Sequence, residues 1–308
     1  MAAITALLSV ALRLPVVLPD PQSAVFVGMH YLYPLAGLAL WSVLVLVGQK
    51  DKRAWTFLLA LPCYVVVLLC HFSVKLWAPH INPLLWDGLY WRIDQALRPL
   101  VELCFSLRRS ISTIVPLTSG AYLYAFITLF YGSFCYHAIV TSQHFRKLVL
   151  AALLIQSLGA LCYLVMPALG PFLYERGVEP QATETQAVLL QAYHANVTGG
   201  GTWLASEGAR HFTLGLAAMP SLHAGCTFLF LLFARRYARV LFPGYCVLFA
   251  FILIDAIASR WHYIVDLPVG LALAWFCYWV AHRLSPSGTP AQNAPTEHAR
   301  QPELAAPT

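Results

Sequence analysis

Apolar positions in this chain come in unbroken runs of roughly twenty residues separated by short polar turns, the spacing of helices that cross a bilayer rather than of alternating strands. Such runs occupy residues 25–48, 55–77, 117–140, 148–169, 240–258 and 264–282, and 218–234 is nearly long enough. Pro62 falls inside the second run, where neighbouring helices can re-satisfy the carbonyl it frees. Residues 1–19 are also apolar but are broken by Arg13 and Pro15, so they read as a signal peptide, an interfacial helix or an extra span. Between 78 and 116 the pattern changes. Leu84, Leu85, Leu89, Ile93, Leu97, Leu100, Val101 and Leu103 recur at helical spacing among Asp87, Arg92, Asp94, Arg98, Glu102, Arg108 and Arg109, which predicts an amphipathic helix lying along the interface. The connection 170–216 is long enough to be functional, and reads as a lid; Asn196-Val197-Thr198 within it matches a glycosylation acceptor.

Composition agrees with the pattern: 59% hydrophobic, 10% charged and a mean hydropathy of +0.68 exclude an ordinary soluble domain. The expected fold class is all-α, a polytopic membrane helical bundle. One membrane-embedded domain, 24–283, follows the N-terminal segment 1–23 and precedes a Pro/Ala/Ser/Thr-rich tail, 284–308, expected to be disordered and cytoplasmic. Eight cysteines lie mostly inside apolar runs without paired spacing, so neither a zinc site nor a disulfide framework is indicated. The net charge of +6 is spread over short turns, which argues for membrane orientation and against nucleic acid as a partner. Lys50, Lys52 and Arg53, then Arg146 and Lys147, then Arg235, Arg236 and Arg239, and finally Arg283 fall on every second turn, the cytoplasmic side by the positive-inside rule. The opposite side receives 78–116, 170–216 and 259–262. It also carries Arg92, Arg98, Arg108, Arg109, Arg176, Arg210 and Arg260, exceptions that a phosphate ligand would explain through forked guanidinium contacts.

Two polar stretches at the mouths of these helices carry candidate chemistry. Residues 217–225 read Ala-Ala-Met-Pro-Ser-Leu-His-Ala-Gly, and 259–266 read Ser-Arg-Trp-His-Tyr-Ile-Val-Asp. If the chain crosses after Pro220, turns at 235–239 and returns, His223 and His262 share one membrane face. Pro220 suits the first turn of a helix, leaving the backbone N–H groups of Ser221, Leu222 and His223 as an anion site. Asp266 lies four residues after His262, on the same helical face, where a carboxylate can set an imidazole's tautomer. Phosphoryl transfer needs an in-line nucleophile, a proton donor for the departing oxygen and N–H or cationic groups on the equatorial oxygens. Two imidazoles can divide the first two roles near neutral pH without a metal or another cofactor.

Pro-Ser-Leu-His followed about forty residues later by His-Tyr-x-x-Asp resembles the type 2 phosphatidic acid phosphatase superfamily of membrane lipid phosphatases and phosphotransferases. The wording is closest to the branch that contains the fungal inositol phosphorylceramide synthase, and the turn Met166-Pro167-Ala168-Leu169-Gly170-Pro171 is similar to that branch's Pro-rich element. The resemblance implies a six-helix phosphatase-type core, with His262 as the nucleophile that forms a phosphohistidine, Asp266 orienting it and His223 protonating the leaving group. It also implies that Ser221 and nearby amides hold the phosphate. Better-known members carry Lys-x6-Arg-Pro and an Arg six residues ahead of the second His. Ala256 occupies that second place here, and Arg92-x5-Arg98-Pro99 approaches the first only loosely. Arg260 and Arg210, nearest in sequence to the histidines, are the expected phosphate-binding arginines, with lipid headgroup anchoring as their alternative role.

The expected activity is therefore metal-independent phosphatase or phosphotransferase chemistry on a phospholipid or other lipid phosphate, at the side opposite the cytoplasm. The acceptor is water or a second lipid's hydroxyl. The competing class is a non-enzymatic membrane transporter or a haem-binding protein, the latter using facing histidines such as His71 and His137.

Overall fold

A computed structural model describes residues 1–20, 43, 53–115, 117, 120–213 and 219–285. Among them there are ten α-helices, one 3-10 turn and no strand. In chain order the helices are α1 (Ala2–Leu12), α2 (Arg53–Ile81), α3 (Asp87–Ala96), α4 (Arg98–Ile114), α5 (Ala121–Ile139), α6 (Ser142–Val165), α7 (Pro180–Ser206), α8 (Leu222–Tyr237), α9 (Phe242–Ala258) and α10 (Asp266–Leu284). The expected span 25–48 apart from Val43, the basic turn's Lys50 and Lys52, Ala217 and Ala218 of the first motif, and the tail from 286 lie outside the described residues.

The core is the bundle of α2, α5, α6, α8, α9 and α10, with α6 packed against α2, α5, α8 and α10. Its interior is aliphatic and aromatic: Leu129, Phe130, Leu148, Ile155, Leu229, Phe230, Phe233 and Ile252 are buried together. Among the described residues two helices, Leu58–Ile81 and Ser142–Val165, are long and apolar enough to cross a membrane. The 16 residues of α8 and 17 of α9 fall short of the roughly twenty that a straight crossing needs. The shortfall in α8 has a local cause. Ser221 caps the helix with its side chain, so the helix starts at Leu222, four residues after its apolar run begins at 218, and Pro220 stands outside it.

α1 is stopped by Arg13, which adopts a left-handed backbone at φ 54° and donates its N–H to Ser9. Its eleven residues rise about 16 Å, roughly half the hydrocarbon thickness. The segment after it docks on α2: Trp77 Nε1 donates to the Pro15 carbonyl at 3.0 Å, and the Val17 N–H to Ser73 Oγ at 3.2 Å.

Two expectations are corrected. The amphipathic stretch 78–116 is not one helix: α2 continues to Ile81, and α3 and α4 meet at Leu97, where Pro99 begins the second in its first turn. Nor is 170–213 an irregular connection. Glu179 caps α7 by accepting the Ala182 N–H at 2.6 Å, with Pro180 in the first turn, and a 27-residue helix kinked at Gly200 follows. Asn196 is buried within it, donating to the Leu76 carbonyl at 2.8 Å and meeting His80 at 2.9 Å, so in the folded chain it is closed to glycosylation.

Candidate active site

The N-terminus of α8 and the α9–α10 loop are joined by backbone. The Ser221 N–H donates to the Asp266 carbonyl at 3.1 Å, which removes it from the three amides expected to face an anion and leaves those of Leu222 and His223 in the open first turn. Ser221 Oγ accepts the Ala224 N–H at 3.5 Å and is fully buried. One turn further, Gly225 and Gly270 let α8 and α10 touch backbone to backbone: a Cβ on Gly225 would meet the Gly270 carbonyl at 2.8 Å, and one on Gly270 would strike the Ser221 carbonyl. This contact brings the two motifs together.

Across it stand the candidate catalytic groups. His262 and Asp266 are buried, with Nδ1 and Oδ2 3.2 Å apart. The same oxygen accepts the Tyr263 N–H at 2.8 Å, so the carboxylate is aimed by backbone before it meets the ring. An imidazole that donates through Nδ1 keeps its lone pair on Nε2, the arrangement a nucleophile or base needs. His223 packs edge-on against Phe126 (4.7 Å between centroids) and Tyr122 (5.2 Å) from α5. Its ring lies within electrostatic range of His262, Lys75 and His71.

Lys75 is a cation that sequence reasoning passed over. It is 8% exposed, midway along the far half of α2, with Nζ 5.5 Å from the Tyr163 ring centroid and 5.9 Å from that of Phe72. Tyr163 in turn donates to the Pro220 carbonyl at 3.4 Å, tying the lysine to the α8 mouth. No acidic side chain pairs with Lys75 among the described residues. A signal for it stands in the chain: Lys75 precedes Asn82-Pro83 at a spacing similar to Lys-x6-Arg-Pro, with Asn in place of Arg.

The two arginines expected on the phosphate are otherwise engaged. Arg260 is 1% exposed, with Nη2 2.9 Å from Asp94 and Nε 3.0 Å from Glu175, and its guanidinium stands over Trp91 and Phe105. Only its Nη1 is left without an acceptor and without an ion-pair contact. Arg210 sits exposed on the turn after α7, 3.6 Å from Glu207, and is not brought to the histidines. Arg98 and Arg108 also have acidic partners, Glu102 and Glu175 for the first, Asp255 and Glu179 for the second. These arginines on the supposedly exoplasmic side are thus explained by ion pairs within the protein.

Two further carboxylates surround the loop. Asp94 accepts the Ile264 N–H at 2.8 Å, and Asp87 accepts the Tyr263 hydroxyl at 2.7 Å and the N–H groups of Leu169 and Gly170. Burial pushes both carboxyls above their usual range, against the pull of these donors. Burial, and then the charge of Asp87, push the Tyr263 phenol far above its ordinary value, so it stays protonated and donates. Gly170 is required here by conformation and space alike. Its φ is 138°, and a Cβ would meet the Trp261 carbonyl at 2.9 Å.

His71 and His137 do not face each other. His71 lies at the His223 end, whereas His137 lies on α5 about fifteen residues, or ~22 Å of helix, beyond Tyr122 and packs on Phe233.

A family model described as the PAP2 superfamily matches residues 89–280, from α3 through most of α10 and including both histidines. The chain belongs to the PAP2 superfamily. Membership makes it a phosphatase-type enzyme acting on phosphate esters. No curated protein and no solved structure matches it. As a PAP2 chain it holds the paired histidines and the carboxylate on one side of the bundle, while Lys75 comes from outside the matched region.

Proposed function

We propose that this PAP2 protein is a multi-pass membrane enzyme that moves the phosphoryl group of a lipid phosphate ester through a phosphohistidine at His262. The observation that carries the reading is the His262–Asp266 contact at 3.2 Å with His223 in electrostatic range across the α8–α10 contact. His262 Nε2 attacks phosphorus while its Nδ1–H donates to Asp266; His223 gives its proton to the departing alcohol oxygen. In the second step the acceptor, water or a lipid hydroxyl, yields its proton to His223 as its oxygen bonds to phosphorus and the P–N bond breaks. Around the equatorial oxygens we place the Leu222 and His223 amides at the mouth capped by Ser221, and the Lys75 ammonium. Arg260 serves chiefly to hold its loop, and Arg210 the surface.

Membrane embedding is supported by the two helices long enough to span. It is supported also by large apolar side chains exposed on α4 and α10, among them Leu100, Leu103, Ile114, Trp275 and Phe276. The basic turns favour a site on the face away from the cytoplasm. The wording of both motifs favours the inositolphosphotransferase branch as the relative, and the acceptor is water or a lipid hydroxyl.

The test is purified protein incubated with a labelled phospholipid panel, with and without ceramide or diacylglycerol, scored for free phosphate and for new lipid. His262→Ala and His223→Ala should each abolish turnover, the latter through loss of acid–base catalysis commonly worth about 10²–10⁴-fold. Asp266→Asn should lower it steeply in a folded protein. Full activity in either histidine variant would remove the mechanism.

A further inference from the structure

The residues 259–265 that carry His262 form no regular element, yet their geometry is tightly determined from outside. Most of the determination comes from one face of α3, a helix with no group in the proposed reaction. Asp87, Tyr90 and Asp94 are all buried on it, the two carboxylates seven residues apart and so on one side of the helix. Asp94 divides its oxygens: Oδ2 takes Arg260 Nη2 at 2.9 Å and Oδ1 takes the Ile264 N–H at 2.8 Å. Those partners are two residues before and two residues after His262. Arg260 has a left-handed backbone at φ 60°, which a non-glycine residue keeps only when its surroundings hold it. Asp87 grips Tyr263, the next residue after His262, through its hydroxyl at 2.7 Å. The Tyr90 ring packs edge-on to the Tyr263 ring at 5.7 Å. Because Asp87 also takes the Leu169 and Gly170 amides, one carboxylate joins the α6–α7 turn to the catalytic loop.

From this geometry we infer that α3 is a positioning element, with Asp94 and Asp87 clamping the loop on both sides of His262 and thereby setting its ring against Asp266. The inference rests on the proposed role of His262 for its catalytic consequence, but the clamp itself is a statement about the loop. Neither carboxylate touches the reacting atoms. Both act through the register of the loop, so their loss should slow the chemical step without weakening substrate binding. Glu175, which meets both Arg260 and Arg98, extends the clamp to the turn before α7.

The test uses the full-length protein in detergent or vesicles and two independent measurements. Asp94→Asn and Asp87→Asn are compared with wild type and with Phe233→Ala, a core truncation at the opposite end of the bundle that controls for lost stability. Hydrogen exchange of peptides covering 259–266 should rise at least ten-fold in both Asn variants and stay at the wild-type level in Phe233→Ala. On the lipid substrate, kcat should fall about ten- to hundred-fold at unchanged KM in the Asn variants. In Phe233→Ala, measured below its melting range, kcat should hold. Unchanged exchange in the loop would overturn the clamp whatever the enzyme's reaction. Faster exchange with kcat intact would overturn the positioning role. His262→Ala, assayed alongside, reports separately on the proposed function: activity surviving there would defeat that reading while the exchange data still judge the clamp.

Discussion

Lys75 tests how a single side chain is judged against its surroundings. A buried ammonium with no carboxylate partner among the described residues is costly unless something compensates it. A phosphate oxygen beside His223 would. Lys75→Met should therefore cost about 1.5–3 kcal/mol of phosphate interaction, or roughly ten- to hundred-fold in kcat/KM, with Lys75→Arg retaining part of it. Steady-state kinetics on the best lipid substrate decides this, and a fully active Met variant would return the phosphate to Arg260. Asn196 is the contrasting case, legible as a motif and misread, because a sequon says nothing of burial. Its amide is bonded to the Leu76 carbonyl and to His80, so Asn196→Ala should lower stability by about 1–3 kcal/mol by leaving those groups unsatisfied. His262 and Asp266 were legible as a candidate pair because only four residues separate them, although the fold sets His262 in the loop 259–265 and Asp266 at the start of α10 rather than both on one helical face. Asp87 and Asp94 were legible only as charges, since their partners lie some 80 to 180 residues away in sequence.

Among the elements, the α8–α10 contact carries most consequence. Two glycines a short distance from Ser221 and Asp266 allow the helices to meet at backbone distance. Gly225→Ala and Gly270→Ala should each force the helices apart, at a cost of about 1–3 kcal/mol for overpacking. The larger effect should be on turnover, because His223 rides on one helix and Asp266 on the other. Thermal melts and activity measured on the same preparations would show whether the loss of rate exceeds the loss of folded protein. Equal losses would mean that the contact only stabilises. The apolar runs predicted α2, α5, α6, α8, α9 and α10, with ends displaced by a few residues where capping decided the boundary, at Ser221 most clearly. α7 was missed because its run is polar enough to pass for a loop, and what makes it a helix is the Glu179-Pro180 start and its docking on α2.

For the whole molecule, the proposal that it lies in a membrane with its site facing outward leads to a topological expectation. An epitope inserted after Gly177 and one inserted at Val240, both in exposed turns, should be reached by antibody from opposite sides of sealed vesicles. The protein should also resist carbonate extraction. Accessibility of both tags from one side would break the alternation of basic turns on which the orientation rests. The same alternation holds His223 and His262 at one end of the bundle and the stacked His144, Tyr237 and His282 at the other, which gives the helical core two chemically distinct mouths.

Runs of apolar residues were enough to determine the helical class and the approximate places of six helices, and two short motifs to single out His223, His262 and Asp266 as candidates, because each of these depends on near neighbours in the chain or on bulk transfer free energy. Which cation stands by the imidazoles, which arginines are already neutralised and what holds the 259–265 loop were decided only by tertiary packing. Charge pairing and burial depend on distances between segments far apart in the chain, and a sequence carries no record of those distances until the helices have met.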